Sequence, residues 1–142
     1  MNELKQSHKA VQGALEALQE SLELFQKHNK NKIKDVKFSE ISIDAIVRLF
    51  ERSIDLTWEH LKLYLEKKED VEFKVNGAKP TIKCAVSANV LTKEEANKAI
   101  EMLDCRIFFS IEETGKEEAA ERIRKLLPEY LILMKTIVEK TK

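Results

Sequence analysis

The residues best suited to acid–base chemistry or metal binding are three histidines, His8, His28 and His60. They lie far apart, and none belongs to an HxxxH or ExxH pair of the kind that holds a metal on one helix face. His8 falls on an apolar helical stripe, which favours a hydrogen-bonded histidine in the core or at its rim over a metal ligand. His60 falls away from the stripe, which predicts a solvent-exposed side chain. We therefore predict no metal site.

The cysteines and glycines indicate no other familiar chemistry. Cys84 and Cys105 lack CxxC spacing and a neighbouring histidine, so we interpret both as reduced thiols without a catalytic role. The three glycines of the chain form neither a GxGxxG nor a GxxxxGK[ST] phosphate-binding loop. We therefore expect no cofactor.

Composition and charge exclude several classes of protein. The chain has 142 residues, 43% hydrophobic and 35% charged, which predicts a single domain over residues 1–142 with a real core. Its 25 basic and 25 acidic side chains balance, which removes any general attraction to nucleic acid or anionic membrane. No apolar run reaches the ~18–20 residues of a membrane span, and the first residues lack the apolar core of a signal peptide. We therefore expect no membrane association and a cytoplasmic location.

Hydrophobic periodicity indicates helices. Glycine, proline and aromatic residues are too scarce for a protein built of many strands and turns. Apolar residues spaced by three and four predict three long amphipathic helices, from about Asn2 to His28, from Ser39 or Ser42 to Lys68, and from about Lys116 to Lys140. The segment between the first two, Asn29 to Phe38, is rich in lysine and predicts an exposed loop. Pro128 predicts a kink or local unwinding of the last helix near Arg124.

Two shorter helices are predicted between the long ones. Pro80 suits the first turn of a helix, and Asn89 is suited to the left-handed conformation that stops it. Thr92 to Glu95 reads Thr-Lys-Glu-Glu, a capping box that predicts a helix running to about Cys105. Residues 71–75 alternate between apolar and polar, but one such run cannot form a stable sheet, so we predict an ordered loop.

Long amphipathic helices with short connections bury their apolar stripes by antiparallel packing. We therefore predict an all-α, antiparallel up-and-down bundle of four to five helices; a continuous coiled coil is disfavoured because loops interrupt the heptads. The wide apolar edges of so few helices also predict a homodimer. The residues predicted for the core are Leu15, Leu18, Leu22, Phe50, Ile54, Trp58, Leu61, Ile123, Leu126 and Tyr130.

The densest sequence signature lies in the second helix, where residues 48–66 read RLFERSIDLTWEHLKLYLE. This segment resembles the second-helix pattern of the nucleotidyltransferase substrate-binding family, which belongs to the HEPN superfamily. The short helix that begins at Pro80, and Met102 to Arg106, resemble the next segments of that family in the same order. The resemblance implies a HEPN-like bundle and a dimer. The matching positions are Arg48, Phe50, Glu51, Ser53, Asp55, Leu56, Trp58, Leu61, Lys62, Tyr64 and Leu65.

The resemblance ends at the residues that do chemistry in related proteins. Ribonucleases of the superfamily use the arginine and the histidine of an R-x4-6-H motif. Arg106 is followed here by Ile107 and Ile111 in place of asparagine and histidine, and no histidine occurs later in the sequence. The imidazole that would transfer a proton is therefore missing. We predict that the chain is not an enzyme.

The residues of the candidate site are Arg106, Asp55, Glu51 and Ser110, which we interpret as a nucleotide- or partner-binding group. Arg106 either forms an ion pair with Asp55 or Glu51 across a helix interface, which we favour, or holds a nucleotide phosphate. Trp58 is predicted to fill the core rather than to stack on a base.

Two functions follow from the resemblance. The first is a non-catalytic accessory protein that binds a small, separate nucleotidyltransferase, as in a toxin–antitoxin module. The second is a degenerate, toxin-like HEPN module that binds RNA or a nucleotide without a transferase partner. A neighbouring gene for a nucleotidyltransferase would favour the first, and RNA binding by the isolated chain would favour the second.

Overall fold

The computed structural model describes residues 2–30, 36–105 and 115–142, and within these ranges it contains five helices and no strand. The prediction of an all-α bundle is confirmed. None of the described helices combines the length and the apolar content needed to cross a membrane. The helices are α1 (Asn2–Lys30), α2 (Val36–Lys68), α3 (Ala78–Ser87), α4 (Lys93–Cys105) and α5 (Lys116–Lys140).

The three long helices pack side by side, and contacts near their ends give their directions. Glu3 at the start of α1 lies 3.8 Å from Lys67 at the end of α2, so these helices are antiparallel. Nε2 of His8 lies 3.2 Å from the Val138 carbonyl oxygen near the end of α5, so α1 and α5 are antiparallel as well. It follows that α2 and α5 run in the same direction, and these two helices also contact each other.

The short helices α3 and α4 complete the bundle as an antiparallel pair. Lys79 at the start of α3 lies 3.1 Å from Asp104 at the end of α4. Lys140 at the end of α5 forms a 2.6 Å ion pair with Glu95 in the first turn of α4. The chain therefore reverses direction from α3 to α4 and again from α4 to α5.

All five helices contribute to one apolar core. Every residue predicted for the core is buried except Leu126, which is half-buried, while its neighbour Leu127 is 1% exposed. Both positions lie at helical spacing from Ile123 and Tyr130, so periodicity does not distinguish them. The packing of α5 against its neighbours determines which of the two leucines is buried.

The long helices extend further than their stripes predicted. α1 continues to Lys30, and α2 begins at Val36, ahead of both serines proposed as its start. Elongation adds one hydrogen bond for each residue that becomes helical, so it proceeds beyond the amphipathic region at little cost. The predicted loop over residues 29–38 is therefore helical at both ends, and its centre, residues 31–35, lies outside the described ranges.

The turn signals around the short helices are confirmed. Pro80 lies in the first turn of α3, and Asn89 adopts a left-handed φ of 62° just after this helix ends. Thr92 and Glu95 form the reciprocal capping box, with hydrogen bonds of 2.9 Å and 3.1 Å. Residues 71–75 form a loop, as predicted.

α5 passes through Pro128 without interruption, so the predicted unwinding near Arg124 does not occur. Proline removes one backbone hydrogen bond from a helix interior. Leu127 and Tyr130 on either side of Pro128 are buried, and their packing supplies the stability that keeps this turn helical. The alternative prediction, a kink of α5, stays a prediction.

Candidate functional site

The structure describes half of the predicted site. Glu51 and Asp55 lie one turn apart on α2 with exposed side chains. Arg106 and Ser110 fall within residues 106–114, outside the described ranges, together with Ile107 and Ile111. The ion pair between Arg106 and one of the carboxylates stays a prediction. A charged side chain that faced inward would need an ion-pair partner to offset the cost of its burial. Both carboxylates are exposed, so neither needs such a partner.

A chain of contacts joins the end of α4 to α2 beside these carboxylates. Cys105 at the end of α4 lies near Tyr130 of α5, and burial, with Cys105 and Glu101 nearby, raises the pKa of Tyr130. The Tyr130 ring stacks on Phe50 with 6.2 Å between centroids and 13° between planes. Phe50 immediately precedes Glu51. The contacts thus connect the residue before Arg106 with the α2 turn that contains the predicted site.

Asp55 also lines a cavity of about 280 Å³ between α2 and the start of α3. Trp58 forms part of its wall and is 6% exposed, which confirms the prediction that it fills the core. Within the described part of the chain, its buried indole Nε1–H meets no hydrogen-bond acceptor. A buried donor without a partner is destabilising. The other residues of the wall are Glu59, Lys62, Gly77, Ala78 and Thr81.

The loop beside this cavity is tied back to α2. Lys62 Nζ donates a 2.8 Å hydrogen bond to Asn76 Oδ1 and lies 5.5 Å from the centroid of the Phe73 ring. Gly77 has a φ of 129°, a conformation that other residues rarely adopt, and its carbonyl accepts a 2.8 Å bond from the Thr81 hydroxyl. These contacts hold the loop that leads into α3 against α2.

A second, larger cavity of about 590 Å³ lies between the first turns of α1 and the end of α2. Five of the eight residues that line it are lysines, and none is acidic. We call it the basic cavity. Its lining consists of Leu4, Lys5, His8, Lys9, Gln12, Lys67, Lys68 and Lys142.

His60 is fully buried, so the prediction of an exposed side chain is wrong. α2 packs against α1, α3 and α5, and the buried part of its surface is therefore wider than a single stripe. Nε2 of His60 lies 2.8 Å from the Thr141 carbonyl oxygen, and Nδ1 lies 2.9 Å from the Ser7 hydroxyl. A carbonyl can only accept, so Nε2 carries the proton and Nδ1 accepts from Ser7.

Burial favours the neutral form of His60. Desolvation lowers the pKa of His60, the bond to Thr141 partly opposes that shift, and the nearby His8 lowers it further. The two rings meet edge to face with 5.3 Å between centroids. His8 is the partly buried, hydrogen-bonded histidine that its position on the stripe predicted. No feature of the sequence pairs Ser7 or Thr141 with His60, because the three are brought together by packing.

His60 is sealed from solvent with both nitrogens engaged, so it cannot act on a substrate. No group of three or more His, Cys, Asp or Glu side chains in the described ranges could hold a metal ion.

The chain is similar to known proteins over nearly its whole length. The crystal structure of ttk003001694 from Thermus thermophilus is similar, with 28% sequence identity and a TM-score of 0.70 over 93% of this chain and 98% of that one. No curated protein matches. The model of the family described as "nucleotidyltransferase substrate binding protein like" matches residues 6–142. The chain therefore belongs to the nucleotidyltransferase substrate-binding family.

Proposed function

We propose that this chain is a non-catalytic accessory protein that binds a small, separate nucleotidyltransferase and shapes its substrate site. The observation that carries the proposal is the family match over residues 6–142, because the family is described by its relation to a nucleotidyltransferase and its substrate. The match includes the whole bundle after the first turn of α1, so the role is assigned to the folded chain rather than to one segment.

The side chains of the described ranges support a binding role. His60, which is fully buried, holds the fold together, and the two cavities described above are lined by lysines or by mixed charges. In the sequence, Ile111 stands where a ribonuclease of the superfamily would have its histidine. These residues favour recognition over catalysis.

We assign the contact with the transferase or its nucleotide to Glu51, Asp55, Arg106 and Ser110. Glu51 and Asp55 are exposed on one face of α2 and are therefore available to a second protein. Arg106 and Ser110 are assigned from the family resemblance alone. Membership of the HEPN superfamily, assembly as a homodimer and a toxin–antitoxin-like arrangement belong to the same proposal.

The experiment is capture of the tagged full chain from its native host, followed by quantitative mass spectrometry. A matched bait with Glu51→Lys and Asp55→Lys reverses the charge of the proposed contact while leaving the core intact. We expect a nucleotidyltransferase to be enriched with the wild-type bait and depleted with the variant. Equal recovery with both baits would contradict the site, and recovery of no nucleotidyltransferase would contradict the function.

The second candidate is a module that binds RNA or a nucleotide without a transferase partner. The basic cavity favours it, because five lysines in one place attract phosphate. A binding assay of the isolated chain with single-stranded RNA distinguishes the two candidate functions. Tight RNA binding combined with no captured transferase would favour the second.

A further inference from the structure

We propose that the basic cavity binds a small phosphorylated molecule that also carries an apolar or aromatic group. The chemical class is an organic phosphate of the size of a nucleoside phosphate. The site lies at the start of α1 and the end of α2, and it shares no residue with the predicted group of Glu51, Asp55, Arg106 and Ser110. The proposal is independent of whether a transferase partner binds.

The charge of the basic cavity differs from that of the whole chain. The whole chain is electrically balanced, yet five lysines and no acidic residue line this cavity. Within the described ranges, Lys5, Lys9 and Lys68 form no ion pair. Lys67 and Lys142 pair with Glu3 and Glu139 at 3.8 Å and 2.8 Å, through side chains that are all more than half exposed. Such exposed pairs contribute little and yield readily to a more highly charged anion.

Helix stability does not account for the two cavity lysines on α1, Lys5 and Lys9. Lys67 and Lys68 in the last turn of α2 do suit the negative end of that helix. Lys5 stands in the first turn of α1, where the helix dipole favours acidic residues, and Lys9 adds a like charge one turn later. Since Lys5 and Lys9 oppose the preferences of their own helix, their placement points to an anionic ligand.

The shape of the cavity indicates a small molecule. About 590 Å³ lies within the range of pockets that enclose small ligands. The buried Leu4 and the ring of His8 supply apolar and aromatic surface beside the lysines. A long polyanion would instead require a basic track along the surface, and here the lysines converge on one end of the bundle.

The wall of the cavity is held in place before a ligand arrives. His8 contacts the ring of the buried His60 and hydrogen-bonds to the Val138 carbonyl. His60 in turn joins α1 and the turn after α5 through Ser7 and Thr141. Because these groups are already ordered, a ligand that stacks on His8 does not have to organise the wall itself.

The test is isothermal titration calorimetry of the full chain with ATP, adenosine, tripolyphosphate and a single-stranded RNA oligonucleotide. The double variant Lys5→Gln/Lys9→Gln removes two charges from the cavity. The matched control Lys83→Gln/Lys93→Gln removes two exposed lysine charges elsewhere. Circular dichroism confirms that each variant is folded.

We expect ATP to bind more tightly than adenosine or tripolyphosphate, and salt to weaken its binding. The cavity variant should weaken ATP binding by about tenfold or more, and the control should not, because charge-assisted hydrogen bonds to phosphate are lost only from the cavity. The proposal is overturned if ATP does not bind, if both double variants weaken it equally, or if RNA binds and ATP does not.

Discussion

At the scale of single residues, His60 shows how a side chain expected in solvent becomes a structural link. Its ring joins α1, α2 and the turn after α5 through Ser7 and Thr141. In the neutral ring, which burial favours, Nε2 donates to the Thr141 carbonyl and Nδ1 accepts from the Ser7 hydroxyl. The free energy of unfolding must therefore depend on pH through this residue.

We expect the chain to lose stability as the pH falls below 6.5, the ordinary pKa of histidine. His60 in the unfolded chain binds a proton there, whereas burial lowers its pKa in the folded state, so protons favour unfolding. The slope should approach about 1.4 kcal/mol per pH unit, the value for one proton. Urea unfolding between pH 7 and pH 5, in steps of about half a pH unit, measures how the free energy of unfolding depends on pH.

His60→Gln should flatten this slope while lowering the stability at pH 7. His28→Gln, which removes another of the three histidines of the sequence, is the control. The account of His60 would be wrong if His60→Gln kept the wild-type slope.

Glu95 affects stability in a separate pH range, below pH 4.5. Burial raises the pKa of Glu95, but the bonds from Lys140 and Thr92 lower it by more, so the net shift is downward.

The residues after Arg106 predict that the purified chain has no measurable ribonuclease activity. A general acid–base group contributes about 10²–10⁴-fold to a rate, and Ile111 supplies none. Glu112 and Glu113 are near in sequence, but a carboxylate with an ordinary pKa of about 4.3 is a poor acid at neutral pH. A cleavage assay on single-stranded RNA, with Arg106→Ala alongside, measures this. Robust cleavage that is lost in Arg106→Ala would show that another residue has replaced the histidine.

At the scale of elements, local sequence signals predicted the short helices better than the ends of the long ones. The capping box and Asn89 act through neighbouring backbone groups, so they can be recognised from sequence alone. The starts and ends of α1 and α2 depend on elongation and packing, which no residue at the boundary encodes. The choice between Leu126 and Leu127 depends on packing in the same way.

Thr92→Ala should destabilise the protein by about 1 kcal/mol, because it leaves the Glu95 backbone N–H without its hydroxyl acceptor. The matched control is Thr92→Ser, which keeps the hydroxyl and should stay close to wild type. Urea unfolding of the three proteins measures the difference. If alanine and serine had the same effect, the capping bond would contribute nothing to stability.

At the scale of the whole molecule, the apolar stripes of the helices predicted the bundle. The structure describes only part of the predicted site. Glu51 and Asp55 are placed on one exposed face of α2, while Arg106 and Ser110 lie outside the described ranges. The basic cavity was not predicted, since its lysines come from the start of α1, the end of α2 and Lys142. Only the fold brings them together. The single domain over residues 1–142 stays a prediction.

We expect the isolated chain to form a homodimer. Leu24 on α1 and Ile132 on the adjacent α5 are 57% and 65% exposed, and a two-fold contact would cover apolar surface of this kind. Sedimentation equilibrium over a micromolar dilution series measures the molar mass. A chain that sediments as a monomer throughout that series contradicts the expectation.

The central claim is that this chain acts by binding a nucleotidyltransferase, and the most direct measurement is the affinity of the two purified proteins. The transferase to use is the one encoded beside this chain or recovered with it from the native host. Titration calorimetry should give a stoichiometric complex with a dissociation constant in the micromolar range or tighter, weakened at least about tenfold by Glu51→Lys/Asp55→Lys. No detectable complex at concentrations of about 100 μM would contradict the account.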